Sequence, residues 1–257
     1  MFLILFFFTG FTIIAFISFL DDIYSLPSRY RLIFQFCGIL LLLCQVYYSS
    51  PYSYWLFFFL SILSVGIVNA YNFMDGINGI TGIYSLILII CLSYVNNFIT
   101  TFIEEDFIIT IILSVSVFLF FNFRKKAICF GGDVGSVGIA FLLVFFTGQL
   151  INTTYDWKYL FFFSIYGLDT IYTILFRLSK KQNIFEAHKL HFFQILVYQT
   201  GFSHLQVAAG YAISQLLLNI WIINYSASNP LFYLPILFLL VIMHFIRKKQ
   251  GLAITIK

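Results

Sequence analysis

Apolar residues run through the chain in long blocks, interrupted by short polar clusters. Each block is about twenty residues, the length a helix needs to cross a hydrocarbon core about 30 Å thick. Nine blocks are read as spans: 1–20, 32–50, 54–73, 79–98, 107–123, 136–152, 158–176, 205–224 and 230–247. The first block lacks a basic leader and a small-residue cleavage site, so it reads as a span rather than a signal peptide. The expected fold class is all-α: one polytopic membrane helix bundle over residues 1–257, with no separate soluble domain and no internal repeat.

Composition strengthens this reading. The chain is 61% hydrophobic and 9% charged, against about 25% charged in a typical soluble domain. The four cysteines (Cys37, Cys44, Cys91, Cys129) form no CxxC pair, and three lie in apolar runs, so reduced thiols are expected.

Charge then sets the orientation. With the N-terminus outside and the C-terminus cytoplasmic, the loops near 21–31, 73–79, 124–135 and 177–204 and the C-terminal tail face the cytoplasm. They hold thirteen of the fourteen Lys and Arg residues, all but Lys158. Such asymmetry is the positive-inside pattern, and one missed span would scramble it.

Four polar constellations remain, all at the same predicted face. In LDDIYSLPSRYRLIFQ, Asp21 and Asp22 sit at the C-terminal end of the first helix, where the dipole disfavours carboxylates by about 0.3–1 kcal/mol each. A cation is therefore expected nearby: a metal, or Arg29 and Arg31 across the Pro27 turn. In NAYNFMDGINGITG, Asn69, Asn72, Asp75 and Asn78 recur every three residues, which on a helix gives one polar stripe. Gly76, Gly79 and Gly82 then allow a turn and close approach to a ligand. Polar groups inside a span usually face a site; the plainer alternative, Asn side chains joining helices, suits Asn69 and Asn72 but not Asp75.

The third constellation is RKKAICFGGDVGSVG. Its backbone N–H groups around Gly132, with Ser136, suit phosphate oxygens, and Asp133 suits a divalent cation. A plain glycine turn is the alternative; no GK[ST] follows, so it is not a Walker loop. The fourth is RLSKKQNIFEAHKLHFFQ, where His188, His191 and Gln194 step by three and would share a helix face, ringed by Arg177, Lys180, Lys181 and Lys189. Two histidines are too few for a zinc site; with the cations they suit a pyrophosphate. His204 and His244 read as interfacial residues, and Asp169 as a buried carboxylate facing the bundle interior.

In order along the chain, DD-x-x-x-LP-x-x-x-RL-x-x-Q, N-x-x-N-x-x-DG-x-x-G, GGD-x-GS and AH-x-x-H-x-x-Q resemble the polyprenyl-phosphate N-acetylhexosamine-1-phosphate transferases, the MraY/WecA-like superfamily, over about residues 10–200. The resemblance implies transfer of a HexNAc-1-phosphate from a UDP-N-acetylhexosamine to undecaprenyl phosphate with release of UMP, at the cytoplasmic face of the bacterial inner membrane. It implies Mg²⁺ or Mn²⁺ as cofactor, with Asp133 as the metal ligand and Asp75 beside it. Asp21 and Asp22 would orient or deprotonate the lipid phosphate, His188 and His191 with the nearby cations would bind phosphate, and Asn69 and Asn72 would support the uridine or Asp75. FMDGINGI and AHKLHFFQ look closest to the branch that starts O-antigen and lipopolysaccharide glycans. Asn78 stands where several branches have aspartate, which leaves one fewer carboxylate for metal or substrate. Relatives generally carry two further spans before the helix ending in DD, so the expectation is either a misassigned start or a member shortened by two N-terminal spans. Homodimers are common among relatives, and no nucleic-acid partner is expected. The rival class, a transporter or flippase for an anionic or lipid-linked substrate, would spread polar residues across both halves of the membrane.

Overall fold

The computed structural model describes residues 2–48, 53–183 and 189–254. Among them, ten α-helices follow in order: α1 (Phe2–Tyr24), α2 (Ser28–Val46), α3 (Tyr54–Met74), α4 (Ile80–Phe98), α5 (Glu105–Asn122), α6 (Gly132–Thr154), α7 (Ser164–Ser179), α8 (Phe192–Tyr198), α9 (His204–Asn224) and α10 (Leu234–Ile254). Short 3₁₀ turns at Trp157–Phe163 and Pro230–Tyr233 lead into α7 and α10. Nine helical segments among the described residues are long and apolar enough to cross a membrane; the short α8 is not one of them. The all-α bundle read from the apolar blocks is the fold observed.

α6 is the most enclosed span and α5 the most exposed. α6 is apolar on every side, as a helix surrounded by others must be, and it packs against α1, α2, α3 and α4. Phe7 and Phe11 of α1 pack their rings on Phe141 of α6, at centroid distances of 5.6 and 5.7 Å. Phe58, Phe59, Leu113, Phe120, Leu237 and Phe238 point outward. In water such a belt would be an aggregation surface; around a bundle of apolar spans it is the face for lipid.

α4 and α9 pack closely and carry a buried polar core that the sequence reading did not identify. Tyr84 donates its hydroxyl to Gln215 Oε1 at 2.7 Å, and the same oxygen accepts the Ile165 N–H at 3.0 Å. Gln215 Nε2 donates to Asn219 Oδ1 at 2.6 Å. The Tyr84 and Tyr166 rings stack 3.8 Å apart. In the hydrocarbon region polar groups must find partners within the protein, and here they tie α4, α7 and α9 together.

Several span ends lie beyond the expected positions. α1 continues to Tyr24, so Asp21 and Asp22 lie within its last turn rather than at its end. α2 begins at Ser28, which puts Arg29 and Arg31 in its first turn. α6 begins at Gly132, so Asp133 belongs to that helix and not to a preceding loop. Asp21, Asp22, Arg31 and Asp133 satisfy one another across helices, so the helices need not stop for them.

Candidate functional site

The C-terminal ends of α1, α3 and α5 and the N-terminal ends of α2, α4 and α6 meet at one end of the bundle. Asp21 organises the α1–α2 turn by accepting the Leu26 N–H at 2.6 Å. Its other oxygen receives Arg31 Nη1 at 2.5 Å, and the same Nη1 reaches Asp133 Oδ2 at 3.0 Å. The cation expected beside the paired aspartates is thus Arg31, which bridges two carboxylates 112 positions apart. Arg29 instead lies over the Tyr30 ring.

Asp22 caps α6 from outside. No side chain near Gly131 caps that helix, and Asp22 accepts the N–H groups of Asp133 at 3.0 Å and Val134 at 3.5 Å. These are among the first N–H groups of the helix, which have no partner within it. Gly132 makes this approach feasible: its φ is +61°, and a Cβ there would lie 2.8 Å from Asp22 Oδ2.

The three-residue polar stripe is only half helical. α3 ends at Met74, and Asp75 is its C-cap with ψ 62°. Asn69 stays on the helix and donates to Gln35 Oε1 of α2 at 2.8 Å, which is the helix-joining role. Asn72 approaches Asp133, with its Nδ2 short of a hydrogen bond. Asp75 Oδ2 lies against Gly131. Burial raises the Asp75 carboxyl above its ordinary range; the Thr81 hydroxyl opposes this and the Asp22 charge adds to it.

Asn78 turns away from the carboxylates and donates to the Arg124 carbonyl at 2.9 Å. Gly79 has φ +82°, a Cβ there would sit 2.2 Å from the Phe123 ring, and its N–H donates to Asn122 Oδ1 at 2.7 Å. Asn122 also donates to the Cys129 carbonyl at 2.7 Å. This one side chain therefore stitches the Asp75 turn to the segment before GGD, a role unmarked in the sequence. His204 also has a specific partner, accepting the Asn78 N–H at 3.4 Å.

Two hollows flank the start of α6. One, of about 420 Å³, is lined by Asp21, Asp22, Ser25, Ser28, Arg31 and Asp133. The other, of about 200 Å³, lies between α4, α5 and α6; Asp75, Thr81, Ser85, Gly131 and Ser136 line it among apolar residues. Asp75 and Asp133 thus meet the same helix start from different hollows.

The fourth constellation is built differently from the helix face expected. His191 is the N-cap of α8 and forms a reciprocal capping box with Gln194, whose Oε1 accepts the His191 N–H at 3.1 Å. The spacing of 191 and 194 is thus a capping signal, with His in the usual place of Ser or Thr. His188 lies outside the described residues. His191 is buried beside the equally buried Asp169. Arg177 is buried and donates to the Asn183 carbonyl, and Lys189 lies over the Tyr198 ring.

The donors around the start of α6 are carboxylate oxygens, the chemistry of a hard divalent cation. Among the described residues no three His, Cys, Asp or Glu side chains gather into a closed cage. Mg²⁺ does not need one, since it takes one or two carboxylates and completes its shell with waters and phosphate oxygens. The residues fit a cation that arrives with a phosphorylated substrate.

No curated protein matches the chain. A family model does: glycosyl transferase family 4 matches residues 4–150, which contain the DD, DG and GGD constellations and their meeting point. The chain therefore belongs to glycosyl transferase family 4, the MraY/WecA-like multi-pass membrane enzymes that transfer a sugar phosphate from a nucleotide donor to a polyprenyl phosphate.

Proposed function

We propose that the protein transfers a HexNAc-1-phosphate from a UDP-N-acetylhexosamine to undecaprenyl phosphate at the cytoplasmic face of the bacterial inner membrane, starting an O-antigen or related surface glycan. The observation that carries this is the meeting of Asp21, Asp22 and Asp133 around Arg31 and the start of α6. Basic residues cluster with them along the chain, which supports the cytoplasmic side.

An oxygen of the lipid phosphate attacks the sugar-bearing phosphorus of the donor; the bond to the UMP oxygen breaks, and UMP leaves with the electron pair. Such transfer depends on positioning and charge neutralisation. Asp133, with Asp75, would hold Mg²⁺ or Mn²⁺, which when bound neutralises the pyrophosphate and the departing UMP. Asp21 and Asp22 orient the lipid phosphate and accept its proton where it arrives protonated. Arg31 offsets their charge, so that anionic substrates approach a cluster less negative than its carboxylates alone. The Gly132 turn and Ser136 contribute polar lining at the helix start, and Asn72 supports the Asp133 carboxylate. The hollow beside Arg31 suits the phosphates of donor and acceptor, and the largely apolar hollow beside Asp75 suits the first isoprene units of the acceptor.

The test is radiolabel from UDP-[¹⁴C]GlcNAc in membranes containing the protein and undecaprenyl phosphate. Label passing Mg²⁺-dependently into an organic-extractable lipid supports the reading. Label that crosses vesicles unchanged, with no lipid product, supports a transporter instead.

A further inference from the structure

Asp169 has no part in the reaction above, yet it is fully buried in α7 and heavily hydrogen-bonded. Oδ1 accepts the Phe192 N–H at 2.7 Å and the Thr173 hydroxyl at 3.2 Å. Oδ2 accepts the Phe193 N–H at 3.2 Å and the Tyr211 hydroxyl at 2.7 Å. Phe192 and Phe193 open α8, so these N–H groups lack helical partners. His191 Nδ1 is 3.5 Å from Oδ1.

Arg247 of α10 acts on the other side of the same turn. It is buried rather than part of a cytoplasmic tail. Its Nη2 donates to the Leu190 carbonyl at 2.7 Å and to Thr173 Oγ1 at 2.9 Å. One carboxylate thus takes the N–H groups that follow His191, one guanidinium takes the carbonyl that precedes it, and Thr173 joins the two.

The turn presses on the Asp75 segment. The Phe193 ring would be 2.9 Å from a Cβ at Gly76, the residue after Asp75, and the His191 ring lies 6.2 Å from that of Phe73. Buried charged groups add little net stability compared with apolar packing, so stability alone is a weak reason for burying these two.

We propose that Asp169 and Arg247 are positioning residues: their buried clamp holds the His191–Phe193 turn against Gly76 and so fixes Asp75 at the phosphate site. The proposal rests on the transferase reading for its purpose, whereas the clamp itself is testable without turnover.

Two readouts on the full chain in nanodiscs separate these. Hydrogen exchange of peptides covering 189–198 reports the clamp, and kcat and KM for UMP release per folded protein report its use. In Asp169→Asn and Arg247→Met, exchange over 189–198 is expected to rise about tenfold, with α4 peptides unchanged. kcat is expected to fall about tenfold while KM for the UDP-sugar stays within about twofold, since neither residue touches the donor. Arg247→Lys should recover part of kcat, and the double variant should be no worse than the weaker single, because both act through one turn. If neither charge variant inserts, Thr173→Val removes the link between them, and a smaller rise in exchange is expected. Unchanged exchange over 189–198 would overturn the clamp, and faster exchange with undiminished kcat would overturn its positioning role. A wild type that yields no lipid-linked product would refute the transferase reading, with exchange still deciding the clamp.

Discussion

Asp22, in the last turn of α1, accepts the backbone N–H of Asp133 at 3.0 Å across 111 positions of sequence. One aspartate caps the helix that carries the other. The two are therefore mechanically linked: a change that moves Asp22 also disturbs the first turn of α6 and the carboxylate mounted on it.

Gly132→Ala exploits this link. An alanine at φ +61° is strained, and its Cβ would meet Asp22 Oδ2 at 2.8 Å. A stability loss of about 1–3 kcal/mol is expected, with a much larger proportional loss of turnover. Thermal unfolding in detergent alongside UMP release measures both, and turnover that falls only in step with folded protein would contradict the linkage.

Arg31 sits between Asp21 and Asp133. Arg31→Met should leave these carboxylates free to attract a cation. Mn²⁺ binding to the donor-free protein, read by EPR of free Mn²⁺, should tighten about tenfold, a figure discounted for the partial exposure of the pair. Equal affinity in variant and wild type would show that the arginine does not compete with the ion.

Asp75 should make stability depend on pH. Burial raises its carboxyl above the ordinary value, so the folded chain binds this proton more tightly than the unfolded chain. The associated stability is present below the unfolded value and is lost as pH rises through the folded one. With divalent ions chelated, the Tm of the wild type should therefore fall relative to Asp75→Asn as pH goes from about 4 to 7. Added Mg²⁺ should shrink that difference, because it favours the ionised form. Parallel Tm curves for the two proteins would count against a raised carboxyl.

Gln215→Leu provides a contrast at a side chain that lines neither hollow. It strands the Tyr84 hydroxyl and the Ile165 N–H, both bonded to Gln215 Oε1, at a cost of about 1–3 kcal/mol. Tm should drop while turnover per folded protein holds, and a selective loss of turnover would extend the functional machinery to the α4–α7–α9 polar core.

The spans were legible because hydrocarbon imposes a length and a composition that few other environments do. The carboxylates were legible because an ionised group in an apolar chain needs a reason. The partners of these groups were not. Asp22 reaches α6, and Asn122 reaches Gly79 and Cys129, through contacts between helices, and no local spacing encodes them. The step of three from His191 to Gln194 is a capping box rather than a helix face, and the two share that interval. Arg247 looked like a tail cation because charge near a terminus usually is one, and only the packing of α10 against the Leu190 turn shows otherwise.

The most direct measurement is UMP release from a UDP-N-acetylhexosamine by Asp133→Asn and Asp75→Asn, each inserted in the membrane at wild-type level with undecaprenyl phosphate present. On the proposal that Asp133 and Asp75 hold the cation, each is indispensable, so release is expected to vanish in both. Full turnover by both variants would contradict the account.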